Sequence, residues 1–273
     1  IIEPFKYAVS IENPTPLMSH TSYNPFLAFA FYLVVNKLVS GEKMSQLERA
    51  IYTFFAITMT FNMFITGGRA GQVMFFAALI VLVFQYFKNS RVKAIGVSLI
   101  LVSCISVIAY FSSPLFQKRV DMVYDEINYY IITPPPEISY KEVKTAAEGY
   151  AVGTANSSMG YRITFAINTL ELIKKAPILG VGTGDFPAEY EKINKIRSKY
   201  IMPTVQPHNM YLLVFAQLGI FGLASLLWIF YIQFKIALSS SNQLVRHAGI
   251  AMPIFFLIIM WSDSYLLGHY TGN

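Results

Sequence analysis

Three residues of this 273-residue chain combine a reactive type with an unusual position: His208, Arg69 and Arg162. His208 stands in PTVQPHNMYLLVFAQLGIFG, residues 203–222, where a titratable ring opens a long apolar run. A helix start carries the positive end of the dipole, which disfavours imidazolium there. Neutral imidazole is the form a general base must have before it takes a proton. The unpaired N–H groups of the same turn favour an anion nearby. Arg69 sits in FITGGRAGQ, a glycine-rich turn between two apolar runs, and Arg162 sits early in SSMGYRITFAINTLELIKKAP. A guanidinium is always charged, and its fork meets phosphate oxygens in pairs. A cation near a helix start is opposed by the dipole, so Arg162 calls for an offsetting anion. The chemistry that fits these types is a general base beside an anion clamp.

Each residue also has a plainer reading. Arg69 can snorkel at an interface and anchor its hairpin. Arg162 can pair with an acid such as Glu148, and His208 or Asn209 can simply cap the helix that follows. In PILGVGTGDF, Gly180, Gly182 and Gly184 alternate. That run lacks the lysine of a phosphate-binding loop and the strand before a dinucleotide fingerprint, so a compact turn fits it better. No metal or other cofactor is expected. The chain has no HExxH, no paired cysteines and no DxD, and Glu189 and Glu191 are placed to pair with Lys192 and Lys195 on a helix.

The elements that must position these residues are apolar. The chain is 55% hydrophobic and 13% charged, whereas about a quarter of a soluble domain is charged. A membrane-crossing helix needs roughly 20 apolar residues to cover about 30 Å. Six runs qualify as spans: 24–39, 50–66, 70–87, 94–113, 209–234 and 248–268. The stretch from Ala94 to Ser113 holds no charged residue, unlike a helix of a soluble bundle. The expected fold class is all-α: a polytopic transmembrane helical protein with a large helical loop. Residues 1–113 would hold four spans after a short outer segment, 114–207 the loop, and 208–273 two further spans, together one functional domain. The chain begins at Ile1 without a basic region and cleavage site, so it reads as a fragment of a larger membrane protein, its C-terminal half. Cys104 is the only cysteine, lies inside a span and reads as a small packing residue.

Lysine and arginine in short loops mark the cytoplasmic side. Lys37, Lys43 and Arg49 flank one connection, Lys88, Arg91 and Lys93 a second, and Lys235 and Arg246 a third. All three fall on one side if the six spans are real. That puts Arg69 and the long loop outside, in the periplasm of a Gram-negative cell. The clustering accounts for most of the net charge of +6 without nucleic acid.

The long loop reads as three amphipathic helices. Val120, Val123, Ile127 and Tyr130 share one face of the first, which ends at TPPPE because proline lacks the donor. Ile138 to Asn156 is polar and loose. In the second helix Ser157 or Ser158 can cap, Ile163, Ile167, Leu170 and Ile173 form a stripe, Lys174 and Lys175 suit the last turn, and Pro177 stops it. In the third, Asp185 can cap, Pro187 fits the first turn, and Tyr190, Ile193 and Ile196 or Arg197 share a face. Such helices cover one another, the spans, or the lipid headgroup layer.

TGGRAG between two spans, then a large loop with SSMGYR and APILGVGTGDF, then PHNMYLLVFAQLGIFGL, resembles the O-antigen ligase family, and NPFLAFAFYLVV resembles the helix that precedes them there. That family shares this region with O-antigen polymerases and bacterial protein O-oligosaccharyltransferases. The resemblance runs from about Asn24 to Tyr270. It implies a GT-C-like glycosyltransferase half in the bacterial inner membrane, metal-independent and inverting, with its large loop periplasmic. It implies a polyprenyl (undecaprenyl) diphosphate-linked glycan as donor and lipid A-core, a growing glycan or a protein hydroxyl as acceptor. Carried over to this chain, Arg69 and Arg162 would hold the donor diphosphate and His208 would be the base, with Asn209 and Gly182 in support. Two arginines can neutralise a departing diphosphate as a divalent cation would. Set against that family, the chain is expected to be missing the N-terminal spans and the last one. Two other classes compete: a transporter or flippase of lipid-linked glycan, and a membrane subunit without chemistry. Transporters carry ionisable residues or broken helices within their spans, and here, apart from Lys37 at the edge of the first, only Asp263 is a charged residue inside an expected span.

Overall fold

The structure is a computed structural model describing residues 20–41, 43–65, 69–114, 116–118, 120–121, 124, 158–198 and 201–264. Every element among them is a helix, in the order α1 (His20–Val39), α2 (Gln46–Ile65), α3 (Arg69–Tyr86), α4 (Arg91–Ser112), α5 (Ser158–Lys175), α6 (Phe186–Arg197), α7 (Met210–Ser239) and α8 (Gln243–Ser262). Each of the six apolar runs therefore contributes a helix, and the last of these stops at Ser262. Three helices are long and apolar enough to cross a membrane: α4 with 22 residues, α7 with 30 and α8 with 20. Tyr23–Val39 and Ala70–Tyr86 are apolar but shorter. α2 is absent from both groups because polar residues begin it. There Ser45 and Glu48 form a capping box: the Glu48 N–H donates to Ser45 Oγ (3.2 Å), and the Ser45 N–H donates to Glu48 Oε2 (2.7 Å). The expected helix through Val123, Ile127 and Tyr130, the proline run, the loose tract and Glu148 lie outside the described residues.

The chain divides into two compact units, one of residues 1–125 with 233–256, the other of 126–232 with 257–273. In the first unit α1 packs against α3. Gly71 makes this approach possible, since a Cβ there would stand 2.2 Å from Asn24 Cβ. Gly71→Val is expected to cost about 1–3 kcal/mol, as overpacked cores do, and to lower the melting midpoint of the detergent-solubilised protein. An unchanged midpoint contradicts the contact. Phe64 near the end of α2 meets Phe75, Phe76 and Phe116 edge-on, so an aromatic cluster clamps the hairpin that carries Arg69. At the other end of these helices polar side chains satisfy one another. The Tyr32 hydroxyl donates to Gln85 Oε1 (2.7 Å), Asn36 Nδ2 donates to the same oxygen (3.3 Å) and lies 3.1 Å from His247 Nδ1.

In the second unit α5 and α6 pack through a buried amide. Asn168 Nδ2 lies 3.2 Å from the Tyr190 hydroxyl, 3.4 Å from Asn194 Oδ1 and 3.2 Å from Ser198 Oγ. Burial pushes the Tyr190 phenol up to about 12, so it stays neutral. The faces match those expected in part. On α5 Ile173 is buried as expected, together with Asn168, Thr169 and Leu172, while Ile163, Ile167 and Leu170 are exposed. A polar pair took the inward face because it finds partners on α6. On α6 Phe186, Tyr190, Ile193 and Asn194 are buried, and Ile196 and Arg197 face outward. Asp185 occupies the N-cap position of α6, yet its side chain makes no capping bond. Glu189 pairs with Lys192 and Glu191 with Lys195, as their spacing implied.

Candidate functional site

Asn209 starts α7. Its Oδ1 accepts from the Leu212 N–H (3.0 Å), which is N-cap geometry, and its Nδ2 donates to the Trp261 carbonyl (3.1 Å). Asn209 thus does the capping and ties α7 to the end of α8. His208 is released from that duty.

His208 has a left-handed backbone, φ 52°. That conformation costs a residue with a Cβ roughly 1–2 kcal/mol, and such strain concentrates where a side chain must be aimed. The imidazole stacks on Phe165 of α5, with ring centroids 6.1 Å apart and planes at 24°. Its Nδ1 lies 3.1 Å from Asp263 Oδ1, and the two side chains are 32% and 17% exposed. The Ser264 N–H donates to the same carboxylate oxygen (2.8 Å). An ionised carboxylate only accepts, so this contact selects, for the neutral ring, the tautomer with hydrogen on Nδ1 and the lone pair on Nε2. A neutral imidazole held in this tautomer is a general base with an orienting partner.

Asp263 is the residue that sequence reasoning underrated. It reads there as a carboxylate within an expected span ending at 268, but α8 stops at Ser262 and Asp263 follows it. A carboxylate placed at the end of an apolar run was the available signal. Its partner lies 55 positions away.

Arg162 lies in the second turn of α5, half-buried. Phe165 is three residues on, so Arg162 and the ring that holds His208 share a helix face, with Cβ atoms about 5–6 Å apart. None of the ion pairs among the described residues involves Arg162. Fold and stacking therefore bring His208, Asp263, Phe165 and Arg162 into one neighbourhood.

The glycine run pairs with α7. α7 is interrupted at Gly219, whose φ of 63° and ψ of −162° are not helical. The Val181 N–H donates to the Ala216 carbonyl (2.8 Å), Gly182 N–H to Gln217 (3.0 Å), and Ile220 N–H to Pro177 (3.0 Å). A Cβ on Gly180 would stand 2.3 Å from the Gln217 carbonyl carbon, so backbone packs directly on backbone. Gly182, with φ 109°, is crowded by the Asp185 carboxylate instead. The compact-turn reading holds, with a purpose the sequence did not disclose: closing a break in a long helix.

Arg69 is the first residue of α3 and belongs to the first unit, whereas Arg162, His208 and Asp263 belong to the second. Gln72, one turn further along α3, is buried, and its Nε2 has no hydrogen-bond partner. An unmet buried donor costs about 1–3 kcal/mol, so this amide has capacity for an acceptor. Among the described residues no three histidine, cysteine or carboxylate side chains converge on a common point that could hold a metal ion.

Comparison with known proteins bears on these positions. An uncharacterized protein of Haemophilus influenzae is 24% identical over 282 residues, a match that covers 98% of this chain and 65% of that protein. The chain thus spans a little under two thirds of that relative. The sequence model described as O-antigen ligase matches residues 54–227, which include Arg69, Arg162, the glycine run and His208. That match extends over more than half of the chain, which belongs to the O-antigen ligase family.

Proposed function

We propose that the full-length protein is a metal-independent, inverting membrane glycosyltransferase. It moves a glycan from undecaprenyl diphosphate to an acceptor hydroxyl at the periplasmic face of the inner membrane, most directly O-antigen to lipid A-core. The observation that carries this is the His208–Asp263 pair at the start of α7, stacked on Phe165 one turn from Arg162.

Nε2 of His208 takes the proton of the acceptor hydroxyl as its oxygen attacks the anomeric carbon. The bond from that carbon to the phosphate oxygen breaks, the diphosphate leaves, and the sugar centre inverts. Asp263 stabilises the imidazolium formed, as a carboxylate partner does for other histidine bases. Arg162, and Arg69 from its hairpin, take the charge that grows on the diphosphate. Donors preorganised at a developing anion usually supply the largest single effect. In this reading residues 1–113, 114–207 and 208–273 act as one functional domain, GT-C-like, with the long loop periplasmic. O-antigen polymerases and protein O-oligosaccharyltransferases share the site and differ in acceptor. The glycan products of a deletion strain complemented with this gene identify the acceptor.

The direct test measures donor affinity of the full-length Arg69→Ala and Arg162→Ala variants. Both are expected to bind the lipid diphosphate at least tenfold more weakly. Unchanged affinity in both removes the clamp. Labelled carrier lipid crossing vesicles without product would replace the transferase with a flippase.

A further inference from the structure

The turn between α5 and α6 carries two apolar side chains at its tip, Ile178 and Leu179, which are 60% and 76% exposed. Lys174 and Lys175, both exposed, precede them. This tip is bonded to α7 through the three backbone hydrogen bonds that flank Gly219. α7 has 30 residues and rises about 45 Å, more than the roughly 30 Å of hydrocarbon a helix must cross. The part after Gly219, residues 220–239, rises about 30 Å and is a full span by itself. With residues 220–239 set across the hydrocarbon, Gly219 falls at its edge and the tip lies level with it.

Two further observations put lipid around the tip. Leu218, Ile220 and Phe221 are exposed at the same break, Phe221 by 63%. They continue the surface of Ile178 and Leu179 onto the flank of a membrane-crossing helix. In addition, interruption of a helix frees backbone groups that lipid cannot satisfy, and irregular backbone at that depth survives only where protein pairs with it. The carbonyls of Ala216 and Gln217 and the N–H of Ile220 are paired by residues 177–182.

We propose that Ile178 and Leu179 form a membrane anchor that enters the leaflet at the Met210 end of α7, with Lys175 directed to the headgroup phosphates beside Lys174, whose Nζ pairs with Glu171 Oε1 (3.0 Å). Apolar residues beside lysines on a long stem suit that boundary, since the stems lie in oil while the ammonium groups reach phosphate. The anchor holds the α5–α6 pair at a constant height on the bilayer, and it goes beyond the transfer reaction and does not depend on it.

The test uses full-length protein in nanodiscs containing phosphatidylglycerol. Cys104 is the only cysteine of the 273 residues, so a background with Cys104 and any cysteine of the remaining length changed to Ser accepts a single nitroxide at Leu179→Cys, at Phe221→Cys as the lipid reference, or at Lys192→Cys as the aqueous reference. Collision with molecular oxygen relative to a water-soluble nickel chelate is expected to be severalfold higher at 179 than at 192, and to match 221. A ratio at 179 equal to that at 192 overturns the anchor. Shielding of 179 from both reagents also overturns it, because protein rather than lipid would then cover the tip. Loss of transfer on changing His208 leaves the outcome untouched, so the two readings fail separately.

Discussion

His208→Ala in the full-length protein is expected to lower glycan transfer by about 10²–10⁴-fold, the usual contribution of a positioned general base, while donor binding persists. The structure adds a second arm. Asp263→Asn keeps the shape of the partner, but an amide can donate as well as accept. It then stabilises the tautomer with hydrogen on Nε2, which has no lone pair to offer the acceptor. A comparable swap in a serine protease triad lowers kcat by about 10⁴. The two changes act on one unit and should not add. The double variant is expected to be no slower than His208→Ala alone. Transfer that falls independently in each single variant, and multiplies in the double, would separate Asp263 from the base. Transfer at the normal rate in His208→Ala would remove the base altogether.

The largest structural effect is expected at Gly219→Ala. At φ 63° and ψ −162° the backbone lies in a region that essentially only glycine enters, which costs a residue with a Cβ about 1–3 kcal/mol. Its Cβ would also stand 2.0 Å from the Ile178 carbonyl oxygen. The backbones must part, which weakens hydrogen bonds that each contribute about 1 kcal/mol. A total loss of roughly 3–5 kcal/mol follows. Gly184 supplies the control. Its φ is 89°, but a Cβ there meets nothing within 4 Å, so Gly184→Ala bears the backbone penalty alone. Melting midpoints of the two variants in one detergent decide the matter. Equal losses would mean that the turn does not close the break in α7.

The corrections to the sequence reading share one cause. The stripe of Ile163, Ile167, Leu170 and Ile173 has the right period for a buried face, yet Ile173 alone of the four turns inward, beside Asn168, Thr169 and Leu172. Periodicity scores apolar residues against water. It does not register a polar residue such as Asn168 that finds its partners on another helix. Glycines 180 and 219 posed the converse problem. Each is an ordinary turn or helix glycine by itself, and only their mutual approach explains both.

What the sequence determined by itself is everything that depends on neighbours along the chain. Apolar runs mark where helices form, Pro187 and Lys174 mark how two of them begin and end, and Glu189 and Glu191 meet Lys192 and Lys195 because a helix repeats every 3.6 residues. It also singled out His208 and Arg162 by type and place. The tertiary structure alone decided that Asp263 completes the histidine, that Asn209 rather than His208 caps α7, and that the glycine run mends the interruption at Gly219. These are contacts between residues tens of positions apart. Chain spacing carries no information about such pairs until the helices have packed.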